Sequence, residues 1–327
     1  MWHATCACFS EILPLELLTI VACHTQSGPL IMKVIRAKSA GFCWGVERAI
    51  DIARDIARKE QKPVYTDGPL IHNSQMVAEL EGDNIRDVGD YQSQEELRIS
   101  EENKKDSVIL VRAHGISPER RNYLKNMGMT FKDATCPDVG IIAGKIRIHA
   151  KKGYHTVIFG DPEHPEVIGL MGYAEGKGHV VQTMEDIDAL PDLGNQACMV
   201  SQSTMFTHEF EALSNRLKER FPETLIFDTI CGATKERQSE VITLKQKGAD
   251  AIVVIGGRHS ANTCKLVALS RLQNIPTFHI ETSAELDPEV MTQYKTVGVT
   301  AGASTPDFLI DEVCKKLESM SSLPTEA

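Results

Sequence analysis

The feature that most constrains the fold is a local pattern that occurs three times. Cys43 lies in Ser39-Ala-Gly-Phe-Cys-Trp-Gly-Val46, Cys136 in Asp133-Ala-Thr-Cys-Pro-Asp-Val139, and Cys231 in Asp228-Thr-Ile-Cys-Gly-Ala-Thr234; the separations are 93 and 95 residues. Each cysteine opens a predicted helix. The first carries an apolar stripe at Val46, Ile50, Ala53 and Ala57, the spacing of one helical face. The second has Pro137 where a proline fits just inside a helix start. The third becomes apolar only near Val241-Ile242.

A short apolar run follows each helix at a fixed offset: Val64, Val157 and Ile252 each stand 21 residues after their cysteine. These runs (Val64-Tyr65, Thr156–Phe159, Ala251–Ile255) are β-branched and read as buried parallel strands. They lead into small or polar loops containing His72-Asn73-Ser74, His164-Pro165-Glu166 and Ser260-Ala261-Asn262. A second set of strands, Val108–Val111, Ala197–Val200 and Thr296–Val299, leads into His114-Gly115, Ser201–Thr204 and Ala301–Ser304.

Recurrence at this period predicts homologous units. The expected fold is α/β, with three pseudo-threefold-related units, mostly parallel sheets and a trefoil-like arrangement around a central site. The first unit is expected at 45–136, the second at 137–229, and the third at 32–44 plus 230–316. Residues 1–31 read as an N-terminal extension outside the core, residues 317–327 as a loose tail, and Glu81–Asp106 as a charged surface insertion. Ligands of parallel sheets bind beyond the carboxyl ends of the strands, so the loops of three such sheets converge on one pocket.

Charge and composition narrow the function. With 35 basic against 45 acidic residues the net charge is −10, which offers no broad basic field for nucleic acid. The best apolar run, Ile12 to Ala22, is too short for a membrane span and carries Pro14 and Glu16. Residues 1–31 contain no Lys or Arg, unlike a secretory or transit leader. The expectation is a cytoplasmic protein with no nucleic-acid or membrane partner. Nine cysteines at mostly wide spacings point to reduced thiols or metal ligands rather than a disulfide framework.

Cys43, Cys136 and Cys231 sit at helix starts, where the dipole and free N–H groups favour thiolate. Thiolates select zinc or iron–sulfur clusters, and three ligands leave a metal position open. With three cysteines, the apical iron of a [4Fe–4S] cluster can take a substrate oxygen. His72, His114, Ser260, Asn262 and Ser304 supply donors without fixed negative charge, which suits a diphosphate, with histidines able to protonate beside it. Gly115 and Gly302 would let backbone approach the ligand. Glu166 is the only acid in the converging loops and is placed to deliver protons. Ser203 and Thr204 could relay them or orient a hydroxyl. No dinucleotide or Walker A fingerprint appears, so electrons are expected from a separate carrier protein.

These stretches resemble the 4-hydroxy-3-methylbut-2-enyl diphosphate reductase (LytB) family. The matching segments are Ala40–Cys43, His72-Asn73, Ala113–Gly115, Asp133–Pro137, Gly160–Glu166, Gln202–Thr204, Ile230-Cys231, Ser260–Asn262 and Val299–Ser304, spread over residues 32–315. The resemblance implies one [4Fe–4S] cluster per chain, held by Cys43, Cys136 and Cys231 with an open apical iron. It implies reductive dehydroxylation of (E)-4-hydroxy-3-methylbut-2-enyl diphosphate to isopentenyl and dimethylallyl diphosphate, the last step of the methylerythritol phosphate route. Glu166 would be catalytic, and His72, His114, His164, Ser203, Thr204, Ser260, Ala261, Asn262 and Ser304 would form the substrate site. Ferredoxin or flavodoxin would be the electron donor. Three departures stand out: Ala261 where a second serine is usual, Ser203 where threonine is common, and Trp44 after the first cysteine.

The alternative is another three-cysteine cluster enzyme of threefold architecture, such as a quinolinate-synthase-like dehydratase. That reading needs Lys or Arg for carboxylates, and the converging loops contain none. A cluster-based sensor would not need Glu166 beside an anion cradle, and a Cys₃ zinc protein would lack iron.

Overall fold

The computed structural model describes residues 32–90, 95–97 and 99–320. Within them, the β-branched runs become the inner strands of three sheets. In chain order the strands are β1 (Lys33–Arg36), β2 (Val64–Thr66), β3 (Ile85–Asp87), β4 (Val108–Val111), β5 (Thr130–Asp133) and β6 (His155–Phe159). They continue with β7 (Gly178–Val181), β8 (Ala197–Ser201), β9 (Leu225–Ile226), β10 (Ala251–Ile255), β11 (Thr277–Ile280) and β12 (Thr296–Ala301). The sheets run β3-β2-β4-β5, β7-β6-β8-β9 and β11-β10-β12-β1, with every neighbouring pair parallel. Strands β4, β8 and β10 are buried along their whole length, which explains why they are continuous apolar runs rather than alternating ones.

All three sheets share one strand order, so the recurrence read from the sequence is a recurrence of topology. The third sheet is closed by β1: Lys33 lies opposite Thr296 and Arg36 opposite Val299.

Each cysteine follows the last strand of one sheet and caps a helix that packs into the next core. Cys43 precedes the helix Trp44–Asp55, Cys136 the helix Pro137–Ala150, and Cys231 the helix Gly232–Gln246. The first helix buries Ala49, Ile50 and Ala53 with Val64 and Val108. The second buries Ile142 and Ile146 against Ile158 and Val200. The third buries Val241 and Leu244 against Ile252 and Val297. Each cysteine therefore stands at a junction between sheets, facing the middle.

Several expectations are corrected. Part of the Glu81–Asp106 segment is β3, the edge strand of the first sheet, which occupies the place that β7 and β11 hold in the others. Residues 317–320 are not loose, because the helix Asp307–Met320 runs to its end with Leu317 and Met320 buried; 321–327 lie outside the described residues. So does the proposed extension 1–31, with Cys6, Cys8 and Cys23. No helix among the described residues is long and apolar enough to cross a membrane.

Candidate active site

The three cysteines are held in one way. The Cys43 N–H donates to Ala303 O at 3.1 Å, Cys136 N–H to Ala113 O at 2.9 Å, and Cys231 N–H to Ser203 O at 3.0 Å. Each bond ties a cysteine to the loop after β12, β4 or β8, so three strand ends set three thiols. The thiols all line one cavity of ≈ 140 Å³. Gly45 is required here, because a Cβ at that position would lie 2.6 Å from Cys136 Sγ and 4.0 Å from Cys43 Sγ.

Burial pushes the Cys136 and Cys231 thiols above their ordinary range, outweighing the N–H groups at the helix starts. The thiolate expected from helix position alone is therefore not favoured at these two sites. A bound cation would have to supply the difference.

Among the described residues, the one trio of His, Cys, Asp or Glu ligand atoms lying within 4.8 Å of one another is His72, His114 and His164.

The three imidazoles line the same cavity, with ring centroids 4.9 Å apart for His72–His114 and 5.5 Å for His114–His164. Burial, aided by the Arg112 guanidinium, holds His72 down at about 4 and His164 at about 3, and drives His114 well below its usual value. Burial thus keeps the rings neutral near pH 7, so protonation beside a phosphate, as the sequence reading allows, would have to be driven by the anion. His72 Nε2, His114 Nδ1 and Asn262 Nδ2 are buried with no hydrogen-bond partner. Orphaned polar atoms at one cavity cost free energy unless a polar ligand takes them up.

Glu166 does not sit in a loop but in a short helix. His164 caps the short helix Pro165–Met171, its Nδ1 accepting from the Glu166 N–H at 3.2 Å. That places the Glu166 carboxyl in the first turn, 1% exposed. Desolvation raises it to about 7, against the pull of Ser203 and of Lys265. Ser203 donates twice, from N–H to Oε1 at 2.6 Å and from Oγ to Oε2 at 2.7 Å.

The remaining candidates converge as expected. Thr204, Ser260, Ala261, Asn262 and Ser304 all line the same cavity. Ser260 caps the helix Ala261–Leu272, and Ser304 Oγ donates to His72 O at 3.1 Å, joining the third sheet's loop to the first. Thr204 Oγ1 accepts from Gln202 Nε2 at 3.0 Å. Gly115 and Gly302 do not line this cavity; they allow close packing on Thr135 and on Thr263. A larger cavity of ≈ 420 Å³ touches His114 but none of the cysteines and not Glu166.

Sequence reasoning missed three cations. Arg112 immediately precedes Ala113, and Lys265 lies one turn beyond Ala261; both act electrostatically on the His164 ring. The third, Arg237, lies near two cysteines. The argument that cations are absent therefore does not set the dehydratase alternative aside.

The family comparison does. The model of the LytB protein family matches residues 34–318. The chain belongs to the LytB family. The 4-hydroxy-3-methylbut-2-enyl diphosphate reductase of Opitutus terrae is 65% identical over 290 residues, covering 88% of this chain and 100% of that one. Its counterpart in Alkaliphilus oremlandii is 40% identical, with coverage of 88% and 100%. The E-1-hydroxy-2-methyl-but-2-enyl-4-diphosphate reductase of Plasmodium falciparum superposes with a TM-score of 0.79 at 27% identity, covering 87% of each chain. A second solved reductase, described as the terminal enzyme of the non-mevalonate pathway, superposes with a TM-score of 0.65 at 36% identity, covering 88% of this chain and 99% of that one. LytB proteins bind an iron–sulfur cluster.

Proposed function

We propose that this LytB protein catalyses the reductive dehydroxylation of (E)-4-hydroxy-3-methylbut-2-enyl diphosphate to isopentenyl diphosphate and dimethylallyl diphosphate, the terminal step of non-mevalonate isoprenoid synthesis. The observation that carries the mechanism is a buried carboxyl with a pKa near neutrality, Glu166, lining the same cavity as three thiols and three neutral imidazoles. A [4Fe–4S] cluster on Cys43, Cys136 and Cys231 would supply the electrons and one iron position without a protein ligand.

The protein's own residues bind, orient and protonate. His72, His114 and His164 would face the diphosphate as N–H donors, with Ser260, Asn262 and Ser304 completing the cradle and Arg112 adding positive potential behind it. This fixes the allylic end toward the thiols. Glu166 would hold its proton on a carboxyl oxygen and pass it to the leaving hydroxyl, with Ser203 Oγ orienting that carboxyl. The balance is two electrons and two protons in, and one water out. The buried pocket keeps bulk water from competing for the proton.

The electron donor is proposed to be a small carrier of the ferredoxin or flavodoxin type. Reduced thiols and this cofactor fit a cytoplasmic setting. The test is iron and acid-labile sulfide per chain in anaerobically purified protein, followed by single turnover with the diphosphate and a strong reductant. Roughly four of each, together with both C5 diphosphate products, is the expected result; zinc without iron would overturn the reading.

A further inference from the structure

Arg237 is 3% exposed, one and a half turns along the helix that Cys231 caps. Its Nη1 donates to Ala233 O at 3.0 Å and its Nη2 to Gly41 O at 2.7 Å, while Nε has no partner. It makes no ion pair with any described carboxylate. The two carbonyls flank the cysteine centre: Ala233 lies two residues after Cys231, and Gly41 two residues before Cys43.

A buried guanidinium bonded only to neutral carbonyls is costly, since desolvation is not repaid by an opposite charge. Two carbonyl bonds could be made equally by a neutral amide. The position makes physical sense once the cysteines carry negative charge. Gly41 lies two residues before Cys43, so the same side chain that tethers the Cys43 approach to the Cys231 helix brings a fixed positive charge beside both.

We propose that Arg237 is the built-in counter-charge of the cysteine centre and raises the reduction potential of the group bound there. A fixed cation in a low-dielectric site stabilises the more negative, reduced state over the oxidised one. This makes acceptance of an electron from a weak donor easier. Arg237 touches neither substrate nor reacting atoms in this account; it is a positioning and electrostatic residue. The inference rests on the cluster reading of Cys43, Cys136 and Cys231.

The experiment is a spectroelectrochemical midpoint titration of anaerobic holoprotein, with iron and sulfide measured on every sample. R237Q removes the charge and retains hydrogen-bond donors; R237K retains the charge and loses the planar fork. K235Q removes an exposed cation on the same helix that pairs with Asp228. The expected result is a clear shift of R237Q to more negative potential, with R237K and K235Q near wild type. An unchanged midpoint in R237Q with full iron overturns the proposal. So does an equal shift in R237Q and R237K, since packing rather than charge would then be responsible. If R237Q loses its iron, R237M takes its place as the neutral variant: a midpoint more negative than that of R237K supports the charge, and one equal to it refutes the proposal. Wild-type protein without iron would instead overturn the cluster reading itself, which keeps the two failures distinct.

Discussion

Ser203 grips the Glu166 carboxyl with both its backbone N–H and its hydroxyl, at 2.6 and 2.7 Å. Both donors come from the loop after β8, whose Ser203 carbonyl also accepts from the Cys231 N–H at 3.0 Å. One residue thus fixes the proposed acid and one thiol together. Glu166→Gln keeps the size of the side chain and loses its transferable proton. Turnover is expected to fall roughly a hundred- to ten-thousandfold, with iron and sulfide unchanged. Retained turnover in single-cycle kinetics would remove Glu166 from the mechanism.

The pH dependence follows from the same carboxyl. Its folded-state pKa is raised from 4.5 to about 7, first by desolvation. The proton is held below that value and lost as pH rises through it, so turnover should be level on the acid side and decline above about 7. Ser203 and Lys265 both pull the value down, so Ser203→Ala and Lys265→Met should each move this limb to higher pH. A kcat–pH profile of the three proteins checks the direction; a shift to lower pH would contradict the assignment.

Neutral histidines make a calorimetric prediction. Burial keeps His72 near 4 and His164 near 3 in the free pocket, and an incoming diphosphate raises them by opposite charge. Inorganic pyrophosphate binding at pH 7 should therefore take up protons, seen as heats that vary with the buffer's ionisation enthalpy. His114→Ala should weaken that binding roughly tenfold or more. Buffer-independent heat would show that the rings bind as neutral donors, and unaltered affinity in the variant would move the diphosphate elsewhere.

Cysteine variants should divide by position. Cys136→Ser is expected to lose most of its iron and sulfide, since Cys136 lines the central cavity. Cys198→Ser should keep both, because Cys198 is enclosed in β8 with Thr156 Oγ1 3.7 Å from its sulfur. Similar iron loss in both variants would undo the assignment of ligands.

Gly302 carries a stability prediction. An added Cβ would come within 2.0 Å of Thr263 Oγ1, on the helix that Ser260 caps. Gly302→Ala should lower the unfolding free energy by about 1–3 kcal/mol, the usual range for overpacking, and raise KM through Ser304 two residues on. Wild-type denaturation midpoints in the variant would show that the contact relaxes freely.

The three cysteine-capped helices and the two inner strands of each sheet were legible because burial on both faces leaves continuous apolar runs. Of the outer strands only β1 was, as a strand-like segment opening at Met32-Lys33. β3 is Ile-Arg-Asp inside a charged stretch, and β9 is two residues; an edge strand exposes one side and has little pattern to display. The Glu166 segment read as a polar loop because Pro165 looks the same in a loop and at the first position of a helix. Arg237 carried no sequence signal, since a cation on a polar helix face is ordinarily solvated.

The sequence alone determined the threefold order, the residues that meet at the centre and the family, because spacing and residue type are properties of the chain. Only the tertiary structure decided their protonation and charge balance. Burial made Glu166 an acid near neutrality, left three histidines neutral, and set Arg237 beside two thiols. Desolvation depends on what packs around a group, and that is assembled from segments distant in the chain.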